Sequence, residues 1–275
     1  METASGRVFF LKWRTDPPAG MYEAEADGLI ALATAATDGR RIVGMLGSDS
    51  GVRVPSVAHL SADGQWLLLE FIASGRETAR THEALGRGLA AIHSAPTIRS
   101  TFGWRRDNWI GTLLQPNPPT GRWSDFWSHA RLEPQLARAR LDGHFSSRSD
   151  GAVLMDNVLN VVPDALAGVT IPTLVHGDLW SGNAYADNAG RPVLIDPAVY
   201  LGDAEVDLAM TELFGPFGAH FYDAYYDVRP MTDAYREYRR DLYQLYYLLV
   251  HVNLFGGRYV QACIRAAERV LVAWS

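Results

Sequence analysis

Asp178, Asn183 and Asp196 are the residues whose types and spacing most directly suggest chemistry. The first two lie in His176-Gly177-Asp178-Leu179-Trp180-Ser181-Gly182-Asn183, and the apolar run Pro192-Val193-Leu194-Ile195 delivers the third. A carboxylate followed five residues later by an amide, with a second carboxylate returned opposite them on a hairpin, suits metal-assisted phosphoryl transfer. Asp178 would accept or orient the proton of an attacking hydroxyl. Asn183 and Asp196 would offer oxygen ligands to Mg²⁺, a hard cation that keeps waters and bridges phosphates. His176, at the end of the preceding strand, braces the loop by hydrogen bonds.

A second signal is a scarcity. Of the 25 basic residues, Lys12 is the single lysine and the rest are arginine. Codon bias accounts for the arginines. A single surviving lysine is either chance or the mark of a place that needs a compact ammonium on a flexible stem, where a planar guanidinium does not fit. Glu23 and Glu25 open the next helix, and either could reach Lys12.

These groups need elements to position them. Val8–Trp13 reads as a strand. Met21–Thr37 reads as a helix ending near Gly39. Trp66–Ile72 reads as a strand buried on both faces, because its apolar run is continuous. Helical spacing continues over Arg76–His93, Trp123–Leu141 and Gly151–Val162, and again after Asp203, including the aromatic-rich Tyr235–Phe255. Residues 96–122 read as a long irregular loop. Strands Thr173–His176 and Pro192–Asp196 flank the polar turn that carries the chemistry. The expected fold class is α+β. A small mixed lobe over 1–72 would bind nucleotide. A larger, mostly helical lobe over 73–275 would carry catalysis and substrate binding, with a hinge after Phe71-Ile72.

Composition excludes several classes. The net charge of −6 argues against a sequence-independent nucleic-acid binder. Hydrophobic residues at 48% and charged residues at 20% describe a globular chain. One cysteine, Cys263, allows neither an internal disulfide nor a cysteine metal cluster. No run approaches the ~20 apolar residues of a spanning helix, and Met1–Arg7 lacks the apolar core of a signal peptide. The expectation is a cytoplasmic protein with no membrane or nucleic-acid partner. The tyrosines of the C-terminal half read as packed helix faces, not as a stacking surface.

The pattern resembles the protein-kinase catalytic loop H-R-D-L-x-x-x-N and its following D-F-G, with Gly177 in place of the arginine and Pro197 in place of the phenylalanine. Small-molecule kinases of that superfamily share such departures. In this frame Lys12 is the nucleotide lysine. Leu69–Ile72 is the adenine hinge, where backbone groups of Glu70 and Ile72 would bond the base.

The resemblance narrows to the fructosamine kinases, or ketosamine-3-kinases. It rests on Leu174–Asn183, on Leu194–Tyr200 continuing through Gly202–Met210, and on Met21–Leu29, Phe102–Gly111 and Asp241–Tyr246. It implies a protein-kinase-like two-lobed fold with a small antiparallel-sheet N-lobe. It also implies ATP- and Mg²⁺-dependent phosphorylation of a sugar hydroxyl on a small or protein-linked ketosamine. By carry-over, Asp178 is the catalytic acid-base residue, Asn183 and Asp196 hold Mg²⁺, and Lys12 binds phosphates with Glu25 as partner. Asp207 would be a scaffold acid for the catalytic loop. Trp180, Asp107 and Asn108 would line the substrate side. A monomer is expected, with a dimer left open.

One departure shapes the alternatives. Eleven residues precede Lys12 and include one glycine, Gly6, so the glycine-rich turn of the family is not found before the lysine strand. Met1–Gly6 would supply only a strand end and a turn. Either the gene start is misplaced or the chain is natively short, which would make it a catalytically impaired binding protein of kinase fold. An aminoglycoside- or choline-type kinase is the alternative within the class. A metal-dependent hydrolase using Asp178, Asp196 and His176 is the alternative outside it.

Overall fold

The computed structural model describes residues 6–44, 51–97, 99–146 and 149–274. Apart from Gly6, the turn expected over Met1–Gly6 lies outside the described residues. In chain order the elements are β1 Phe9–Trp13, α1 Met21–Ile42, β2 Val57–Leu60, β3 Trp66–Glu70, α2 Ala79–Ser94, β4 Asn108–Ile110, β5 Leu113–Gln115, α3 Trp123–Trp127, α4 Glu133–Leu141, α5 Asp150–Ala165, β6 Thr173–Val175, β7 Ala184–Ala186, β8 Pro192–Leu194, β9 Tyr200–Gly202, α6 Glu205–Thr211, α7 Ala219–Tyr226, α8 Arg240–Phe255 and α9 Val260–Trp274. The class is α+β. The chain forms two compact units, the first of Met1–Pro96, Thr173–Val199 and Phe214–Pro230, the second of Thr97–Pro172, Tyr200–Leu213 and Met231–Ser275.

In the first unit, β1 and β2 both pair antiparallel with β3. Leu67 and Leu69, two apart on β3, share a face and are buried against Tyr22, Ala26 and Leu29 of α1. Trp66 and Leu68 of β3, on the other face, stay half-buried. The expected burial on both faces is therefore corrected: α1 covers one. Lys12 stands opposite Leu67 in the register, so it shares the face that α1 covers.

Helix α1 runs past Gly39, where its end was expected. The glycine serves packing instead of capping. A Cβ at Gly39 would stand 1.8 Å from the Ala91 carbonyl oxygen of α2. We expect Gly39→Ala to cost about 2 kcal/mol or more through forced separation of the two helices, read as a lowered urea midpoint. An unchanged midpoint would show that the contact yields freely.

In the second unit, α3, a wide turn over Ser128–Leu132 and α4 form the helix expected over Trp123–Leu141. Its core is aromatic, with Trp123, Trp127, Tyr243 and Tyr246 almost wholly buried. The Trp123 indole donates to the Tyr243 hydroxyl at 3.0 Å, and that hydroxyl donates to Asp203 Oδ2 at 2.6 Å. Arg131 is fully buried, with its guanidinium 4.0 Å from the Tyr200 ring centre and 4.5 Å from that of Phe126. The C-terminal tyrosines thus pack as expected. The loop expected over 96–122 contains a hairpin, β4 on β5. Three residues per strand are too few for alternation to show in the sequence.

Candidate active site

The loop after β6 is wired by its own polar atoms. Gly177 adopts φ 82°, a left-handed value that only glycine reaches without cost. His176 is fully buried. Its Nδ1 accepts the Asp178 N–H at 3.3 Å, which puts the ring proton on Nε2, facing the Ile195 carbonyl at 2.9 Å. The ring thus ties the start of the loop to the residue before Asp196, the bracing role read from sequence. Both nitrogens are engaged, which disfavours the hydrolase alternative.

Asn183 closes the loop. Its Nδ2 donates to the Asp178 carbonyl oxygen at 2.8 Å and stands 3.3 Å from Asp178 Oδ2. The Ile195 N–H donates to the Asn183 carbonyl at 3.0 Å, and β7 pairs antiparallel with β8 from Ala184↔Leu194. A short hairpin therefore returns Asp196 beside Asn183, as the spacing suggested. Asp196 is exposed and adopts φ 55°, uncommon for a residue with a side chain. Such conformations persist where the surroundings enforce them, and they cluster at functional sites.

Lys12 reaches this locus from β1. Its Nζ lies 2.6 Å from Glu25 Oε1 and 2.9 Å from Asp196 Oδ1. Of the two helix acids, Glu25 is the partner. Burial favours the neutral amine, but the Glu25 and Asp196 carboxylates outweigh it and raise the Lys12 pKa above the usual value. Burial also raises the Glu25 carboxyl, against the pull of Lys12. The Lys12 ammonium persists through neutral and mildly alkaline pH, and the stability it contributes is lost only as pH rises through its raised folded value.

These are two acids, an amide and a lysine–glutamate pair in one unit, and the fructosamine kinase family profile matches residues 1–273. The chain belongs to the fructosamine kinase family. A protein of Synechocystis sp. named a probable ketoamine kinase is 43% identical over 96% of this chain and 83% of its own. A chloroplastic protein-ribulosamine 3-kinase of Arabidopsis thaliana is 37% identical over 94% of this chain and 74% of its own. Among solved structures, a candidate fructosamine-3-kinase from Thermobifida fusca superimposes with a TM-score of 0.84, at 32% identity, over 98% of this chain and 88% of that one. The fold is protein-kinase-like, and the enzyme is a phosphotransferase with a hydroxyl acceptor.

The other residues expected at the site fall in both units. In the first, Trp180 is 39% exposed and its indole lies across Gly182, where a Cβ would stand 2.4 Å from the ring. Glu70, at the end of β3, donates its N–H to the Ser56 carbonyl at 2.9 Å. The Ile72 carbonyl accepts the Tyr185 hydroxyl at 2.9 Å. In the second, Asp107 Oδ1 accepts the Asn117 N–H at 2.8 Å, and buried Asn108 accepts from Gln115 Nε2 at 2.7 Å. Asp207 is fully buried on α6. Sequence reasoning missed Arg53, Tyr185 and Asp187, which hold the strand end at Glu70–Ile72. Nothing in their local pattern signals it, because their partners lie far along the chain.

The oxygen donors suit Mg²⁺. The Asn183 amide nitrogen is committed to Asp178, so Oδ1 is the atom that would meet a metal there. One carboxylate and one amide oxygen match a cation that fills its remaining positions with water and phosphate oxygens.

Proposed function

We propose that this chain transfers the γ-phosphoryl group of ATP to a sugar hydroxyl of a ketosamine, small or protein-linked. The observation that carries the reading is the convergence of Asp178, Asn183, Asp196 and the Lys12–Glu25 pair within one unit. Asp178 orients the acceptor hydroxyl and takes its proton as the new P–O bond forms and the bond to ADP breaks. Lys12, held by Glu25, meets the ATP phosphates. Asn183 and Asp196 hold Mg²⁺, which would neutralise charge on the phosphates when bound. The Glu70 carbonyl and the Ile72 N–H meet the adenine edge. Trp180 lines the sugar side. Residues 1–72 form the nucleotide lobe and 73–275 the catalytic and substrate lobe of a cytoplasmic monomer.

The test is transfer from ATP and Mg²⁺ to fructosyl-lysine, with Asp178→Asn as control. Transfer by the wild-type chain and not by the variant supports the reading. Nucleotide binding without transfer to any ketosamine would remove the acceptor assignment. Absence of nucleotide binding would favour the impaired-kinase alternative.

A further inference from the structure

One arginine joins two parts of the first unit that the proposed reaction needs in register. The backbone of Arg53 runs beside β8: its N–H donates to the Pro192 carbonyl at 2.8 Å, and its carbonyl accepts the Leu194 N–H at 2.9 Å. Leu194 lies two residues before Asp196 and pairs with Ala184, the neighbour of Asn183. The side chain of Arg53 makes two ion pairs. Nη2 meets Glu70 Oε1 at 2.6 Å, and Nη1 meets Asp187 Oδ2 at 2.8 Å.

Both carboxylates are themselves anchored. Glu70 Oε2 accepts the Ser56 N–H and lies at the same 3.2 Å from the Ser56 hydroxyl. Asp187, almost wholly buried between β7 and β8, accepts the N–H groups of Ala189 and Arg191 and the Arg191 Nε, each at 2.9 Å. Burial would raise the Asp187 carboxyl, but the hydrogen bonds from Arg53 and Arg191 hold it well below the usual range. It therefore stays an anion and a fixed anchor at working pH. Further along, the Gly75 N–H donates to the Ala186 carbonyl at 2.7 Å, so the chain after Glu70 is tied to β7 as well.

We propose that Arg53 is a positioning residue for ATP, which fixes the strand end at Glu70 against the hairpin that carries Asn183 and Asp196. The inference rests on the kinase reading above. A guanidinium suits the task because its fork reaches two carboxylates at once, whereas a lysine ammonium on a flexible stem holds one direction less firmly. The adenine edge and the metal-bound phosphates are opposite ends of one ligand. Loosening the tie should therefore weaken nucleotide binding and leave acceptor recognition alone.

The test measures the dissociation constant of a fluorescent ADP analogue, and KM for ATP and for fructosyl-lysine, in wild type, Arg53→Ala, Arg53→Lys, Glu70→Gln and the Arg53→Ala/Glu70→Gln double variant. We expect Arg53→Ala to weaken nucleotide affinity and raise the ATP KM roughly tenfold, with the fructosyl-lysine KM within twofold. Arg53→Lys should recover part of the loss. The double variant should be no worse than Arg53→Ala, because Glu70→Gln acts only on a pair that Arg53→Ala has already removed. Glu70→Gln leaves the backbone pairing of residue 53 intact and keeps the test open if Arg53→Ala does not fold; it should weaken nucleotide binding at least threefold. Unchanged nucleotide affinity in Arg53→Ala or Glu70→Gln, equal rises in both KM values, or additive losses would overturn the proposal. A wild-type chain that binds no nucleotide would overturn the kinase reading and this inference together, whereas wild-type binding with indifferent variants would overturn the inference alone.

Discussion

Asp178→Asn is expected to lower kcat by roughly 10²–10⁴-fold, the range a positioned general base contributes, while KM for ATP and the melting temperature stay near wild type. The separation follows from the geometry. Three bonds of residue 178 run through its backbone: its N–H to His176 Nδ1, and its carbonyl from Asn183 Nδ2 and from the Trp180 N–H. An asparagine keeps all of them. Its side-chain oxygen also retains an acceptor for Asn183 Nδ2, 3.3 Å away. What it loses is the capacity to take a proton from the acceptor hydroxyl. A steady-state titration of both substrates, with a thermal melt of the same preparation, checks the claim. Turnover within tenfold of wild type would remove Asp178 from proton transfer. A collapsed melt would mean that its carboxylate holds the loop instead.

The backbone arrangement around Asp178, Asn183 and Asp196 was legible in the sequence because it is local. Asp178 and Asn183 lie in one turn, Asp196 follows just past the end of β8, and apolar runs announce β6 and β8. Lys12 stood out by rarity, whereas the opening of α1 offered Glu23 and Glu25 alike and only the family resemblance favoured Glu25. What stayed hidden depends on distant backbone. The reach of α1 past Gly39 is set by the Ala91 carbonyl of another helix, so a glycine that reads as a stop is a contact. The single buried face of β3 reflects which side α1 covers. The hairpin within 96–122 is held by Gln115, which donates to Asn108 and accepts the Tyr246 hydroxyl at 2.7 Å, and neither partner is implied by a three-residue strand. Arg53 was one arginine among many, distinguished only once Glu70 and Asp187 stood on either side of it.

Asp196→Asn is the second large effect. Turnover should fall by about 10³-fold or more, and Mg²⁺ should cease to tighten nucleotide binding. Asparagine is the informative replacement. It tolerates the left-handed backbone that Asp196 adopts at φ 55°, where alanine would add strain and confuse the result. It removes the negative charge that a hard divalent cation requires at this position. The same change acts on Lys12. The Asp196 carboxylate is one of the two charges that raise the Lys12 pKa, and it lies 2.9 Å from the ammonium. Neutralising it lowers that pKa, while the Glu25 carboxylate remains beside the ammonium to favour its charged form. Lys12 then keeps its charge and loses a competitor for the phosphates. Nucleotide affinity measured in EDTA should therefore be equal to wild type or tighter, while the gain on adding Mg²⁺ disappears. Calorimetric titration of ADP with and without Mg²⁺ separates the two effects. A variant that still binds ADP tenfold more tightly with Mg²⁺ would place the metal on other ligands. Weakened binding in EDTA would mean that Asp196 positions Lys12 for the phosphates and does not compete with them.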